Sequence, residues 1–168
     1  MKQILVRTER CVGCKTCELA CCIVHSDSKD LFGAFLGGER PVSRVQVETN
    51  PERTFNLPVQ CRQCREPKCV SACMTGAMHM DEETGLVLNR EEKCVGCWMC
   101  VMVCPYGVIV PSEGQKVAVK CDQCLSEGHD PACVKACPTK AIKFAEINEF
   151  DKGVKRDFLS KFISGEEA

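Results

Sequence analysis

Cysteine placement constrains this chain more than any other feature, because seventeen of its 168 residues are cysteine. Sixteen of them fall into four quartets. Cys11, Cys14, Cys17 and Cys21 are spaced C-x2-C-x2-C-x3-C, and Cys94, Cys97, Cys100 and Cys104 repeat that spacing with Pro105 attached. Cys61, Cys64, Cys69 and Cys73 widen the middle gap to four residues. Cys121, Cys124, Cys133 and Cys137 widen it to eight, and Pro138 follows. Thiolates at such spacings hold iron–sulfur clusters, and sixteen suffice for four 4Fe–4S cubanes.

Other readings of so many cysteines fit less well. A secreted disulfide scaffold is cysteine-rich too, but residues 1–6 are followed at once by Arg7, Thr8 and Glu9, with no signal-peptide pattern and no twin-arginine leader. No apolar run approaches the ~18 residues of a membrane span. The expectation is a cytoplasmic protein with reduced thiols. A zinc-binding interaction module would use separated C-x2-C pairs or histidines. Three cysteines followed by a fourth four residues on suit a cubane instead.

Composition agrees. The apolar fraction of 45% counts cysteine, and the aromatics are seven Phe, one Trp and one Tyr. Clusters are therefore expected to fill much of the interior and to tie distant segments together. The formal charge of −1 treats each cysteine as neutral. Four oxidised cubanes with their thiolates bring it to about −9, so many of the Lys and Arg residues offset cluster charge. There is no basic stripe with interleaved aromatics to suggest nucleic-acid binding. No dinucleotide fingerprint, phosphate loop or H-E-x-x-H is present, so the chain reads as non-catalytic.

The internal repeat predicts an α+β architecture. Residues 61–104 look like a complete two-cluster bacterial ferredoxin, with strands at 77–80 and 86–88 around a glycine-containing turn at 81–85. Further short strands are expected at 108–110 and 141–144. The first and fourth motifs then make the other module. This divides the chain into residues 1–25 with 111–150 as one ferredoxin-like module and 61–110 as the second. An insertion at 26–60 would carry a hairpin with strands at 42–48 and 54–60. Residues 151–168 would be a C-terminal helix and tail. Within 26–40, core packing is expected of Leu31, Phe32, Phe35 and Leu36, with a cluster cover or partner contact as the alternative.

In a paired ferredoxin module, three cysteines of one motif hold a cube and the fourth crosses to its neighbour. Four ligand sets follow. They are Cys11, Cys14, Cys17 with Cys137; Cys121, Cys124, Cys133 with Cys21; Cys61, Cys64, Cys69 with Cys104; and Cys94, Cys97, Cys100 with Cys73. The i, i+4 step from third to fourth cysteine puts both sulfurs on one side of a helical turn.

Taken in order, the four motifs resemble the four-cluster iron–sulfur subunits of the dimethyl sulfoxide reductase, formate dehydrogenase and hydrogenase-component type. Residues 11–21, 28–33 and 94–100 (CVGCKTCELAC, SKDLFG and CVGCWMC) are most similar to the ferredoxin-like subunit that accompanies nickel carbon monoxide dehydrogenases. They also resemble polyferredoxin partners of tungsten aldehyde oxidoreductases. The resemblance supports pairing the first motif with the fourth. It implies an electron-transfer subunit carrying low-potential electrons from a cytoplasmic oxidoreductase, carbon monoxide dehydrogenase first, to a second redox partner. The alternatives are a self-assembling polyferredoxin scaffold or wire serving an aldehyde oxidoreductase, and the electron subunit of a hydrogenase or formate dehydrogenase complex. Cys22 and Met74 stand where proline follows the fourth cysteine in the other two motifs. Proline supplies no ligand there.

Several residues outside the quartets carry weaker signals. Cys22 reads as a buried spare thiol. Trp98, between two ligands, is expected to shield a cluster, and His25, His79 and His129 are not expected to bind metal. Gly13 and Gly96 are expected to let backbone amides approach cluster sulfides. Val154, Phe158, Leu159, Phe162 and Ile163 recur at helical spacing before Gly165, Glu166 and Glu167. That helix is expected to dock on its own protein, or else on another subunit.

Overall fold

The computed structural model describes residues 2–52, 54–112 and 114–164. It is an α+β fold of four small two-stranded sheets and six helices among the described residues. Two of the sheets, together with short helices, build the surroundings of the cysteine motifs.

In the middle of the chain, strands β4 (Met78–Met80) and β5 (Val87–Asn89) pair antiparallel, with Met80 opposite Val87. Asp81 shapes the turn between them by accepting from the Thr84 N–H at 2.9 Å, and Gly85 takes φ +70°. The Arg90 N–H then donates to the Ala77 carbonyl at 2.9 Å, and a 3-10 turn (Glu91–Lys93) delivers the chain to Cys94. The same unit recurs with its parts at opposite ends of the sequence. Strand β1 (Gln3–Val6) pairs antiparallel with β8 (Ile142–Ala145). The Arg7 N–H donates to the Ala141 carbonyl at 2.7 Å, and a 3-10 turn (Thr8–Arg10) leads into Cys11. The second unit is thus a circular permutation of the first. Strand β1 was not expected from sequence, since four residues offer no periodicity to read.

Short helices start next to the third cysteine of each motif. They are α1 (Thr16–Val24), α3 (Lys68–Ser71), α4 (Met99–Val103) and α5 (Ala132–Ala136). Pro67 and Pro131 precede α3 and α5 in extended backbone, which launches each helix. Helices this short are not stable alone. They hold because α1 packs on α5 and α3 on α4, burying cysteines between them. One core gathers Ile4, Val45, Val47 and Ile142 around Cys17, Cys21, Cys121 and Cys133. The other gathers Met78, Ile109 and Ala118 around Cys100.

The hairpin expected near 42–60 forms from β2 (Val45–Thr49) and β3 (Asn56–Gln60), with Val45 opposite Gln60. Asn50 closes its turn by accepting from the Phe55 N–H at 2.8 Å. Three expectations need correction. The strand placed at 108–110 is only β6 (Val110–Pro111), paired with the unforeseen β7 (Ala118–Val119); Val108 and Ile109 are buried in irregular backbone instead. Helix α2 (Leu31–Leu36) buries only Ala34, while Phe32, Phe35 and Leu36 are 71%, 82% and 80% exposed. The core packing expected of these residues therefore does not occur. The Asp30 cap on the Gly33 N–H and the Glu39 carboxylate on the Asp27 and Ser28 N–H groups hold the helix upright at the surface.

The third correction concerns α6 (Ile147–Ser164). It docks on its own protein, but Val154, Phe158, Leu159 and Ile163 remain exposed. Its anchor is polar. Asp157 bonds both Arg7 and Arg10, and the Arg7 guanidinium lies 5.6 Å over the Phe150 ring. Gly165, Glu166, Glu167 and the Phe162 side chain lie outside the described residues.

Candidate metal centres

None of the seventeen cysteines is joined to another in a disulfide. The turns that carry them sort the sixteen into groups drawn from different motifs. One cavity is lined by Cys11, Cys14, Cys17 and Cys137. A second is lined by Cys61, Cys64, Cys69 and Cys104, and a third by Cys73, Cys94, Cys97 and Cys100. In the remaining group, Cys21, Cys121, Cys124 and Cys133 are all buried. The Cys133 thiol there is held above its ordinary pKa by burial and by the neighbouring Cys121, Cys21 and Cys124. Each group combines three cysteines of one motif with the fourth cysteine of another.

Backbone amides point at the sulfurs. The Met78 N–H donates to Cys73 Sγ at 3.3 Å, and the Ala141 N–H donates to Cys137 Sγ at 3.2 Å. Thr75 and Thr139, each two residues past a fourth cysteine, add their hydroxyls at 3.6 and 3.7 Å. Burial pushes the Cys73 and Cys137 thiols up, but these bonds outweigh it and leave both below the ordinary value. The Arg44 N–H donates to Cys21 Sγ at 3.2 Å. Elsewhere burial dominates, raising Cys17 and Cys100 to about 11 and Cys121 to about 12. Buried thiolates that repel one another need cations among them, and iron supplies that charge. The donor sets fit 4Fe–4S clusters.

Gly13 and Gly96 take φ +69° and +67°, as a tight turn requires. Their closeness is to protein, however. A Cβ at Gly13 would lie 2.6 Å from Asn56 Oδ1, and one at Gly96 would lie 2.5 Å from the Lys116 carbonyl oxygen. Trp98 is half-buried with φ +62° and lines the cavity of Cys73, Cys94, Cys97 and Cys100. Cys22 is half-buried rather than fully buried. Burial and the adjacent Cys21 raise its pKa.

The histidines have protein partners. His79 bonds the Ala77 carbonyl, and His129 meets Gln123 Oε1 at 2.9 Å. His25 bonds the Cys21 carbonyl at 2.8 Å through Nδ1 and places Nε2 3.4 Å from Asp122. Burial opposes its protonation, but Asp122 and Cys21 outweigh that and raise its pKa to about 9. Arg44 pairs with the same Asp122 at 2.6 Å.

Sequence reasoning missed a seam of buried polar residues: Gln60, Gln63, Lys120 and Gln123. Gln63 spans two segments, donating to the Cys121 carbonyl at 3.0 Å and accepting from the Val87 N–H at 2.8 Å. The available signal was the repeated C-x-Q-C of residues 61–64 and 121–124.

Fold and donor sets together define an iron–sulfur protein of the polycluster ferredoxin kind. A family described as a 4Fe-4S dicluster domain matches residues 53–147, and a 4Fe-4S binding domain matches residues 8–33. The protein belongs to the 4Fe–4S dicluster family and is an electron-transfer protein rather than a catalytic one. It is 38% identical to an iron-sulfur protein of Rhodospirillum rubrum over 88% of this chain and 83% of that one. It is 37% identical to the B subunit of anaerobic dimethyl sulfoxide reductase from Escherichia coli, over 88% of this chain and 74% of the relative. The thiosulfate reductase electron transfer subunit PhsB of Salmonella typhi is also 37% identical, over 84% and 73%. Among the described residues no helix is long and apolar enough to cross a membrane.

Proposed function

We propose that this chain is the electron-transfer subunit of an oxidoreductase complex and carries four 4Fe–4S clusters. The ligand sets are Cys11, Cys14, Cys17 and Cys137 for the first cluster, and Cys21, Cys121, Cys124 and Cys133 for the second. Cys61, Cys64, Cys69 and Cys104 hold the third, and Cys73, Cys94, Cys97 and Cys100 the fourth. The observation that carries this reading is the three cavities whose cysteines divide three to one between motifs. Bound in these sets, each cluster takes up and releases one electron at a time. Residues 1–25 with 111–150 form one two-cluster module and residues 61–110 the other. Residues 26–60 are an insertion, and 151–168 are appended.

The protein's own groups hold the thiolates, aim N–H donors at sulfur and exclude water. Cys14 and Cys97 are the exposed cysteines of the first and fourth sets. They mark one contact point for a donor and one for an acceptor. The donor is a catalytic oxidoreductase, with carbon monoxide dehydrogenase first among candidates on the resemblance of residues 11–21, 28–33 and 94–100. A cytoplasmic setting, which keeps thiols reduced, suits a chain in which none of the seventeen cysteines forms a disulfide.

Dimethyl sulfoxide and thiosulfate reductases are named for relatives that match most of this chain. They favour a second reading, in which the catalytic partner receives the electrons. Mixing the reconstituted protein anaerobically with each enzyme and its substrate decides between them. Carbon monoxide with its dehydrogenase is expected to bleach the cluster absorbance. Bleaching by an aldehyde oxidoreductase alone would replace the named donor. Reoxidation of reduced protein by a reductase with its oxide substrate would reverse the direction. Failure with every partner would end the electron-transfer-subunit reading.

A further inference from the structure

The two cysteine modules meet through a pair of equivalent contacts that differ in charge. Gln60 and Lys120 each stand immediately before the first cysteine of a C-x-Q-C motif. Both are almost fully buried, at 2% and 3% exposure. Gln60 Nε2 donates to the Ile4 carbonyl at 3.2 Å. Lys120 Nζ donates to the Val87 carbonyl, and to the Cys121 carbonyl at 2.9 Å. Ile4 and Val87 are themselves equivalent. Each lies three residues before the arginine, Arg7 or Arg90, whose N–H closes its strand pair onto Ala141 or Ala77. One position in the repeat therefore holds a neutral amide on one side of the junction and an ammonium on the other.

The ammonium lies among the ligands of the two middle cysteine sets. Its Nζ bonds the carbonyl of Cys121 and that of Val87, and Val87 lines the cavity of Cys61, Cys64, Cys69 and Cys104. Cys121 belongs to the second set, and Cys64 and Cys69 to the third. Near the second set, Asp122 sits between Arg44 and His25, so its charge is shared by two basic side chains. Lys120 bonds only carbonyl oxygens and makes no ion pair among the described residues. A fixed positive charge in a medium of low dielectric favours addition of an electron nearby.

We propose that Lys120 is a positioning residue that raises the reduction potentials of the second and third clusters relative to the first and fourth. The proposal rests on the four-cluster reading above. With clusters held in these sets, the Lys120 charge would favour an added electron at the second and third, the donor losing that electron and the acceptor gaining it. Electrons arriving at either exposed end would thereby be drawn to the junction between modules, to which the neutral Gln60 adds no charge.

The test is a redox titration of the full-length holoprotein, followed by low-temperature paramagnetic resonance, with iron and sulfide counted for every variant. In Lys120→Gln, which copies the residue at the equivalent position, two midpoint potentials are expected to fall while two stay. Lys120→Arg keeps the charge and is expected to restore the wild-type values. Four intact clusters with unchanged midpoints in Lys120→Gln would overturn the proposal, as would an equal shift of all four. A Lys120→Arg variant that behaves like Lys120→Gln would show a purely structural role. If Lys120→Gln fails to assemble its clusters, Gln60→Lys decides. A rise in an inner midpoint supports the proposal, and no change defeats it. Fewer than four clusters in the wild-type protein would instead overturn the reading on which the proposal rests.

Discussion

At the scale of single residues, three cavities are each lined by cysteines of two motifs rather than of one. Cys21 sits on helix α1 with Cys17, yet it lies near enough to Cys121, Cys124 and Cys133 to push all three thiols up. Replacing Cys21 with serine is expected to damage the cluster held by those three and to spare the one held by Cys11, Cys14 and Cys17. Paramagnetic resonance of the reduced variant reads this directly. Loss of the signal assigned to the Cys11 set would mean that the first motif binds its own cube. The two motif glycines allow a finer comparison. Alanine at either costs about 1–2 kcal/mol for its positive φ alone. At Gly13 the added Cβ meets the Asn56 side chain, which can turn away, whereas at Gly96 it meets the Lys116 carbonyl of the backbone. Gly96→Ala is therefore expected to lower the temperature of cluster loss further than Gly13→Ala. The reverse order would place the strain elsewhere.

At the scale of elements, length and anchoring decide which pieces are secure. Helices α3, α4 and α5 are four or five residues long and depend on the cysteines they carry. Helix α6 is eighteen residues long, but its apolar stripe faces outward and its hold on the body runs through Asp157 and Phe150. The Arg7 guanidinium, bonded to the Asp157 carboxylate, holds that group below the usual carboxylate range. A depressed carboxyl pKa means that the link is complete above the unfolded value and is lost as pH falls through the folded one. Asp157→Asn is thus expected to make α6 sensitive to limited proteolysis at neutral pH. The wild-type helix should show such sensitivity only in acid. Equal protection of variant and wild type at neutral pH would assign the anchoring to Phe150 instead.

For the whole molecule, both cores pack aliphatic side chains against cysteines. Four cubanes correspond to about sixteen iron and sixteen acid-labile sulfide per chain. Anaerobic analysis of the purified protein is expected to return those values; about half as much iron, with zinc making up the rest, would contradict it. Because cysteines are packed into both cores, stripping iron with a chelator is expected to unfold both units. Circular dichroism should show loss of the short helices along with cluster absorbance. An apoprotein that keeps its helical signal would show that the aliphatic residues suffice alone.

The spacing of cysteines along the chain was enough to indicate the cofactor, and the internal repeat indicated the α+β class. A cubane takes three of its ligands from a few consecutive turns, so its signature is local and survives in the primary sequence. Hairpins at 45–60 and 78–89 were legible for the same reason, since turn residues such as Asn50 and Gly85 lie between the strands they join. Tertiary structure alone decided what depends on distant partners. It paired β1 with β8 across nearly the whole chain, left Phe32 and Phe35 in solvent, and turned the apolar face of α6 outward. It also brought Lys120 beside Val87 and Gln60 beside Ile4. Burial and long-range pairing depend on what the rest of the chain packs against each position, and no short stretch of sequence carries that information.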